Sequence, residues 1–140
     1  MGEITAVFDT NVVISAYGWG GTPEECVELV LTGEVSLAAS QAMLNELHRV
    51  LNYPKFDFSA DDKSKVLFLY ADHADFVTPE TDLDVVVDAD DNKFVECAVA
   101  ADVDYVVSGD SHLLDLGSYD GIEIVNPATF LDIVDGQCSE

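Results

Sequence analysis

The run Ile4-Thr5-Ala6-Val7-Phe8 is short, apolar and rich in β-branched residues, and it stops on a carboxylate, Asp9. A strand without apolar/polar alternation is covered on both faces, and such strands belong almost only to parallel sheets flanked by helices. Residues 35–39, 105–108 and 122–125 read as further strands, and residues 76–79 as a short one. The stretches between them read as helices, which gives a three-layer α/β arrangement. Ligands of an open parallel sheet bind beyond the carboxyl ends of its strands. Asp9 stands at one such end, and Asp110 stands at another, after Ser108-Gly109.

Helix signals fill most of the remaining chain. Residues 18–23 form a Gly-rich loop around Trp19, and Thr22-Pro23-Glu24-Glu25 marks a helix start with Pro in its first turn, running to about residue 32 before Gly33. Ser40 caps a helix to about residue 51, with Met43, Leu44, Leu47, Val50 and Leu51 on one face and Tyr53-Pro54 as its stop. Another helix starts at Ser59 or Asp61 and reaches about residue 73. Residues 82–90 set Asp82, Asp84, Asp88 and Asp90 around three valines and read as a connection or edge element. A helix over 91–101 faces the core with Phe94, Val95, Ala98 and Ala101, and Asn126-Pro127-Ala128 opens a last helix through about residue 134.

With 140 residues, 49% of them hydrophobic, the chain is expected to form a single domain over residues 1–140. It lacks an apolar run of about 18 residues and a basic N-terminal segment leading into an apolar one, so no membrane partner and a cytoplasmic location are expected. Three cysteines without a C-x-x-C pair, Cys26, Cys97 and Cys138, read as buried thiols. The charge is extreme: 28 acids meet only Arg49, Lys55, Lys63, Lys65 and Lys93, a net −23. Disorder does not explain it, because the chain has enough Val, Leu and Phe to offset its ordering entropy. Adaptation to a high-salt cytoplasm does, since the Debye length falls to about 3 Å at 1 M salt and self-repulsion is screened, and an acidic surface for a basic partner is the plainer alternative. A halophilic origin is therefore expected.

Within this excess of acid, four positions stand out: Asp9, Glu46, Asp91 and Asp110. Glu46 lies three residues after Met43 and four before Val50, at the edge of a buried helix face where a carboxylate is costly unless paired. Asp91 opens a helix in register with Val95 and Ala98; capping alone is its plainer explanation, as a local turn is for Asp9 and Asp110. Gathered together, oxygen donors of this kind suit Mg²⁺ or Mn²⁺. Thr10 and Asn11 beside Asp9, and Ser108 beside Asp110, can position water or a phosphate oxygen without adding charge. Asp88 and Asp90 are further ligand candidates, Asp90 as an alternative to Asp91. Lys93 reads as a surface partner of Glu96 at i,i+3. His48, His73 and His112 show no ligand spacing, and His112 reads as a structural or solvent-facing residue.

The stretches Val7-Phe8-Asp9-Thr10-Asn11-Val12, Glu46 in its helix, Asp91 ahead of Phe94-Val95-Glu96-Cys97-Ala98, and Val107-Ser108-Gly109-Asp110 together resemble the PIN domain (PilT N-terminus) family over nearly the whole chain. Tyr53-Pro54-Lys55-Phe56 and Ser111-His112-Leu113-Leu114 resemble the branch assigned as toxins of toxin–antitoxin systems. The resemblance implies a three-layer α/β/α fold with a central parallel sheet, and a metal-dependent endoribonuclease. Asp9, Glu46, Asp91 and Asp110 would be its catalytic Mg²⁺ or Mn²⁺ ligands, with 5′-phosphate and 3′-hydroxyl products. It further implies an RNA substrate, a cognate antitoxin protein and a homodimer.

Other families with an Asp after the first strand fit less well. A haloacid-dehalogenase-like phosphatase needs a second acid where Asn11 stands, and a receiver domain needs a Lys beyond Lys93, where the chain has none. The alternative of another class is a silent PIN-fold module that binds RNA or protein without turnover. Mutual repulsion among gathered carboxylates argues against it. A scarcity of Lys and Arg remains unusual for a protein that handles phosphates, so metal bridging, neutral hydrogen bonds and stacking on Trp19 or Tyr17 are expected to carry more of the affinity.

Overall fold

A computed structural model describes residues 4–138, with side chains over 4–136. Its strands and helices alternate: β1 (Ile4–Phe8), α1 (Thr10–Gly18), α2 (Gly21–Leu31), β2 (Val35–Ala39), α3 (Gln41–Leu51), α4 (Ala60–His73), β3 (Ala74–Phe76), α5 (Asn92–Ala101), β4 (Tyr105–Val107), α6 (Ser111–Leu116), β5 (Ser118–Tyr119), β6 (Ile122–Val125) and α7 (Pro127–Cys138). The strands form one sheet in the order β3-β2-β1-β4-β6-β5. All neighbours are parallel except β5, which pairs antiparallel with β6. From β1 the chain winds outward through β2 to β3, then returns to β4 on the other side of β1. The order therefore reverses between β1 and β4, which places the ligand crevice of such a sheet there.

Burial follows the apolar runs. Phe8, Phe94 and Phe130 are fully buried, and the Phe130 ring meets Phe8 and Tyr105 edge-on at 6.0 and 5.8 Å. α5 packs on β1, β2 and β4, so its first turn reaches the carboxyl edge of the central strands. Cys26 and Cys97 are buried, and burial pushes both thiols up to about 12. The side chain of Cys138 lies outside the described residues. Among those residues no helix is long and apolar enough to cross a membrane.

Several elements depart from the sequence expectation. α1, by contrast, is one of the helices expected between strands; it follows Asp9 directly and buries Val12, Val13 and Ile14 on the core despite their β-branched propensity. α2 begins at Gly21 rather than Thr22, so Pro23 sits in its first turn. β3 occupies residues 74–76 instead of 76–79, because α4 hands the chain straight to the sheet edge beside β2. The β5–β6 hairpin turns on Asp120-Gly121, both at positive φ, as a tight two-residue connection requires. Ser40 and Ser59 cap α3 and α4 as expected, accepting from the Met43 and Asp62 amides at 3.4 and 3.0 Å.

Candidate metal and catalytic site

Asp9 leaves β1 with its amide donating to the Val107 carbonyl at 3.0 Å, which carries the β1–β4 pairing one residue past the strand. This sets Asp9 beside Ser108. The Ser108 hydroxyl donates to Asp9 Oδ2 at 2.7 Å and accepts the Asp110 amide at 2.9 Å. Ser108 is fully buried, so its hydroxyl ties the two carboxylate-bearing loops together rather than facing a substrate. Thr10 is buried next to Asp9, while Asn11 is exposed on the first turn of α1.

Asp91 occupies the N-cap position of α5 yet makes no side-chain capping bond. It is 9% exposed, and its Oδ2 is buried without a hydrogen-bond partner. Burial, then the hydrogen bond and charge of Asp110, then the charges of Asp9 and Asp88, push its carboxyl up to about 8. Asp9 is raised too, chiefly by burial and further by Asp110 and Glu46, against the opposing pull of the Ser108 hydroxyl and the Asn11 amide. Asp110 goes the other way. Burial raises it, but hydrogen bonds from Asp91 and the His112 amide, with the nearby imidazole, bring it below the ordinary carboxylate value. Of the two, Asp91 is therefore the carboxyl shifted toward its neutral form. Asp90 points away, its side chain 76% exposed, so of that pair it is Asp91 that meets Asp9 and Asp110.

Glu46 comes from α3 with its side chain only 16% exposed, and Lys93 Nζ meets its Oε1 at 2.5 Å. The same ammonium donates to the Asp90 carbonyl at 2.6 Å. Lys93 is therefore not the expected partner of Glu96. It turns inward, because the half-buried Glu46 offers a far stronger field than a solvated surface acid. Glu96 instead accepts the Leu83 amide at 2.8 Å.

Asn92 was not singled out from the sequence, and His112 was read there as structural or solvent-facing. Asn92 is buried, and its Oδ1 accepts both the Val85 and Val86 amides at 2.9 Å while its Nδ2 donates to Ala89 O at 3.1 Å. These bonds hold the acid-rich connection that carries Asp88 and Asp91. Asn92→Ala would orphan two amides, and a loss of about 3 kcal/mol is expected, or roughly 10 °C in melting temperature; thermal melting checks it, and an unchanged Tm would show that the connection is held by other contacts. The second contributor is His112. One ligand atom each from Asp88, Asp91 and His112 lie within 4.8 Å of one another. The signal for it was the Asp110-Ser111-His112 spacing: Asp110 Oδ1 accepts the His112 amide at 2.8 Å and starts α6, which turns the imidazole back toward the carboxylates.

The donor set fits a divalent cation. Three neighbouring carboxylates and a fourth held by Lys93 offer hard oxygen donors, and Asp91 Oδ2 has no hydrogen-bond partner among the described residues. A family model described as a PIN domain matches residues 5–112. The chain belongs to the PIN domain family. A relative in Methanocaldococcus jannaschii, the uncharacterized protein MJ1680, is 28% identical over 118 residues, which cover 81% of this PIN-domain chain and 76% of the relative. The fold also matches a chain in the crystal structure of VapBC2 from Rickettsia felis bound to a DNA fragment from their promoter. That match has a TM-score of 0.59 and 12% identity, and covers 88% of this PIN-domain chain and 98% of the other. The PIN fold expected from the sequence, with its mostly parallel sheet between helices, is the fold observed.

Proposed function

We propose that this PIN-domain protein is a metal-dependent endoribonuclease, the toxin of a toxin–antitoxin pair, with Asp9, Glu46, Asp91 and Asp110 as its catalytic Mg²⁺ or Mn²⁺ ligands. The observation that carries the reading is Asp91: a buried carboxylate oxygen without a partner, facing two further carboxylates at the switch point of the sheet. A divalent ion held there supplies Lewis-acid chemistry, activating water and neutralising charge on a phosphodiester. Ser108 fixes Asp9 and the Asp110 loop in one geometry. Lys93 holds Glu46 at the rim and offsets part of the charge that would otherwise repel a phosphate. His112 and Asp88 extend the donor set around Asp91 on the side of α6.

The toxin role rests on family membership and on the fold match to a chain from VapBC2, a complex with promoter DNA. A cognate antitoxin with a basic segment suits the acidic surface. The test is cleavage of a mixed RNA pool at molar salt with Mn²⁺ or Mg²⁺. Wild type is expected to cut, and both Asp9→Asn and EDTA are expected to abolish cutting. A folded, metal-loaded wild type that cuts nothing would sink the nuclease reading, and undisturbed growth on induction in a saline host would sink the toxin role alone.

A further inference from the structure

Trp19, Tyr53, Phe56 and Phe58 form one ring network on the surface. Phe56 stacks on Tyr53 at 6.4 Å and 9° and on Phe58 at 5.7 Å and 28°, while Trp19 meets Phe56 edge-on at 6.1 Å. Phe56 and Phe58 are partly buried against the core, whereas Trp19 is 71% exposed and Tyr53 39%. Trp19 is therefore a surface ring rather than part of the core.

Most of the chain's cations fall in the sequence segment that carries Tyr53, Phe56 and Phe58. Segment 49–65 carries four, Arg49, Lys55, Lys63 and Lys65, against three acids, Asp57, Asp61 and Asp62; elsewhere in the sequence Lys93 is the single Lys or Arg. Lys55 Nζ stands 5.1 Å from the Phe56 centroid. Lys63 Nζ donates to Asn52 Oδ1 at 3.1 Å. Arg49 hydrogen-bonds Tyr53 and lies within electrostatic reach of Glu46 and Asp90. The strip also adjoins the carboxylates by two routes. Glu46 and Arg49 lie on one face of α3, three residues apart. On the other side α1 runs from Asp9 to Trp19, a rise of about 14 Å.

We infer that this aromatic and cationic strip is the docking path for single-stranded RNA, leading the strand from Trp19 across Phe56 and Tyr53 to the carboxylate site. The inference rests on the nuclease reading. Charge complementarity selects the occupant: a polyanion is repelled over the rest of the surface, and here Lys55 and Arg49 lie beside rings on which bases stack without sequence preference, with Lys63 on Asn52 and Lys65 paired to Asp61 in the same segment. It also accounts for RNA affinity at high salt. Stacking is insensitive to screening, so a protein in molar salt loses less by relying on rings than by relying on phosphate contacts. A second copy docked symmetrically on this strip would bring the few cations of each molecule together, and a basic antitoxin segment would meet like charge.

Trp19, the one tryptophan, reports directly. With EDTA present, so that no strand is cut, oligo(A) is titrated into the full chain at molar KCl while Trp19 emission is followed. Anisotropy of a labelled oligo(A) is read in parallel for Trp19→Ala, Lys55→Glu and Phe76→Ala. Phe76 is an exposed aromatic on the edge strand, away from the cations. Saturable quenching is expected, with binding weakened about tenfold in Trp19→Ala and Lys55→Glu and unchanged in Phe76→Ala. If wild type cuts RNA but the three variants bind alike, the strip is wrong and the nuclease reading stands. Quenching without cutting keeps the strip and removes the catalysis. A dimer in sedimentation that falls apart in Trp19→Ala, with no quenching by oligo(A), would assign the strip to a second copy and overturn the proposal.

Discussion

Asp91→Asn is expected to lower RNA cleavage at least about a hundredfold, the loss that even outer-shell partners of metal sites produce, and at the same time to raise the melting temperature of the metal-free protein. Wild type holds a buried carboxyl, pushed up to about 8, against Asp110 and Asp9. At pH 8 and above the folded state must ionise it or take up a proton that the unfolded chain does not bind. Because the folded pKa lies above the unfolded value near 3.8, the folded state binds more protons between those limits, and stability falls as pH rises through that window. Asp110, held below its ordinary value, contributes the opposite slope only at the acid end, where its advantage is lost as pH falls. Asn keeps the hydrogen bond to Asp110 and removes the charge, so a gain of a few kcal/mol at pH 8, or about 10 °C, is expected.

Melting curves from pH 5 to 8 check this, with and without Mn²⁺. Metal-free wild type should gain stability as pH falls across the range, and the variant should show a shallower slope. Saturating Mn²⁺ should raise the wild-type Tm most at pH 8, because binding to the folded state adds RT ln(1 + [L]/Kd) where the site is already ionised. The variant should respond little. A variant that melts below wild type at every pH would mean that the Asp91 carboxylate is satisfied by the protein itself, and the cation argument would lose its main support.

The second large effect is that of salt. With a net −23 on 140 residues and the few cations confined largely to one strip, most carboxylates face others of the same sign. Moving from 2 M to 0.05 M KCl lengthens the Debye length several-fold and exposes that repulsion. A fall in Tm on the order of 10 °C or more is expected, with the same dependence in sodium and potassium salts if screening is the cause. A flat Tm between the two concentrations would remove the proposal that the composition is an adaptation to salt. The proposed metal site should accentuate the trend, since its neighbouring carboxylates add to the same repulsion when no cation is bound.

The strands that place the site were legible because each is a short apolar run closed by a polar residue, and a doubly covered strand admits few alternatives. Asp9 and Asp110 followed from that, being the first carboxylates beyond β1 and β4. Glu46 was legible from its phase on α3. What was not legible came from contacts distant in sequence. Lys93 looks like a surface residue until α3 brings Glu46 to it, 47 positions away. Asn92 looks like a helix-start residue until three backbone groups of the preceding connection converge on its amide. The ring network spans Trp19 and Phe56, which share no local pattern.

The hydroxyl of Ser108 has a consequence for how this chain can change over evolutionary time. It bridges loops that emerge from neighbouring central strands, with Asp9 immediately past one strand and Asp110 three residues past the other. Neither loop has slack: a single inserted or deleted residue before Asp9 or between Val107 and Asp110 would carry a carboxylate out of the crevice. The outer turns carry no such constraint, and length variation among descendants of this sequence should collect at the β5–β6 hairpin and in the connection after β3.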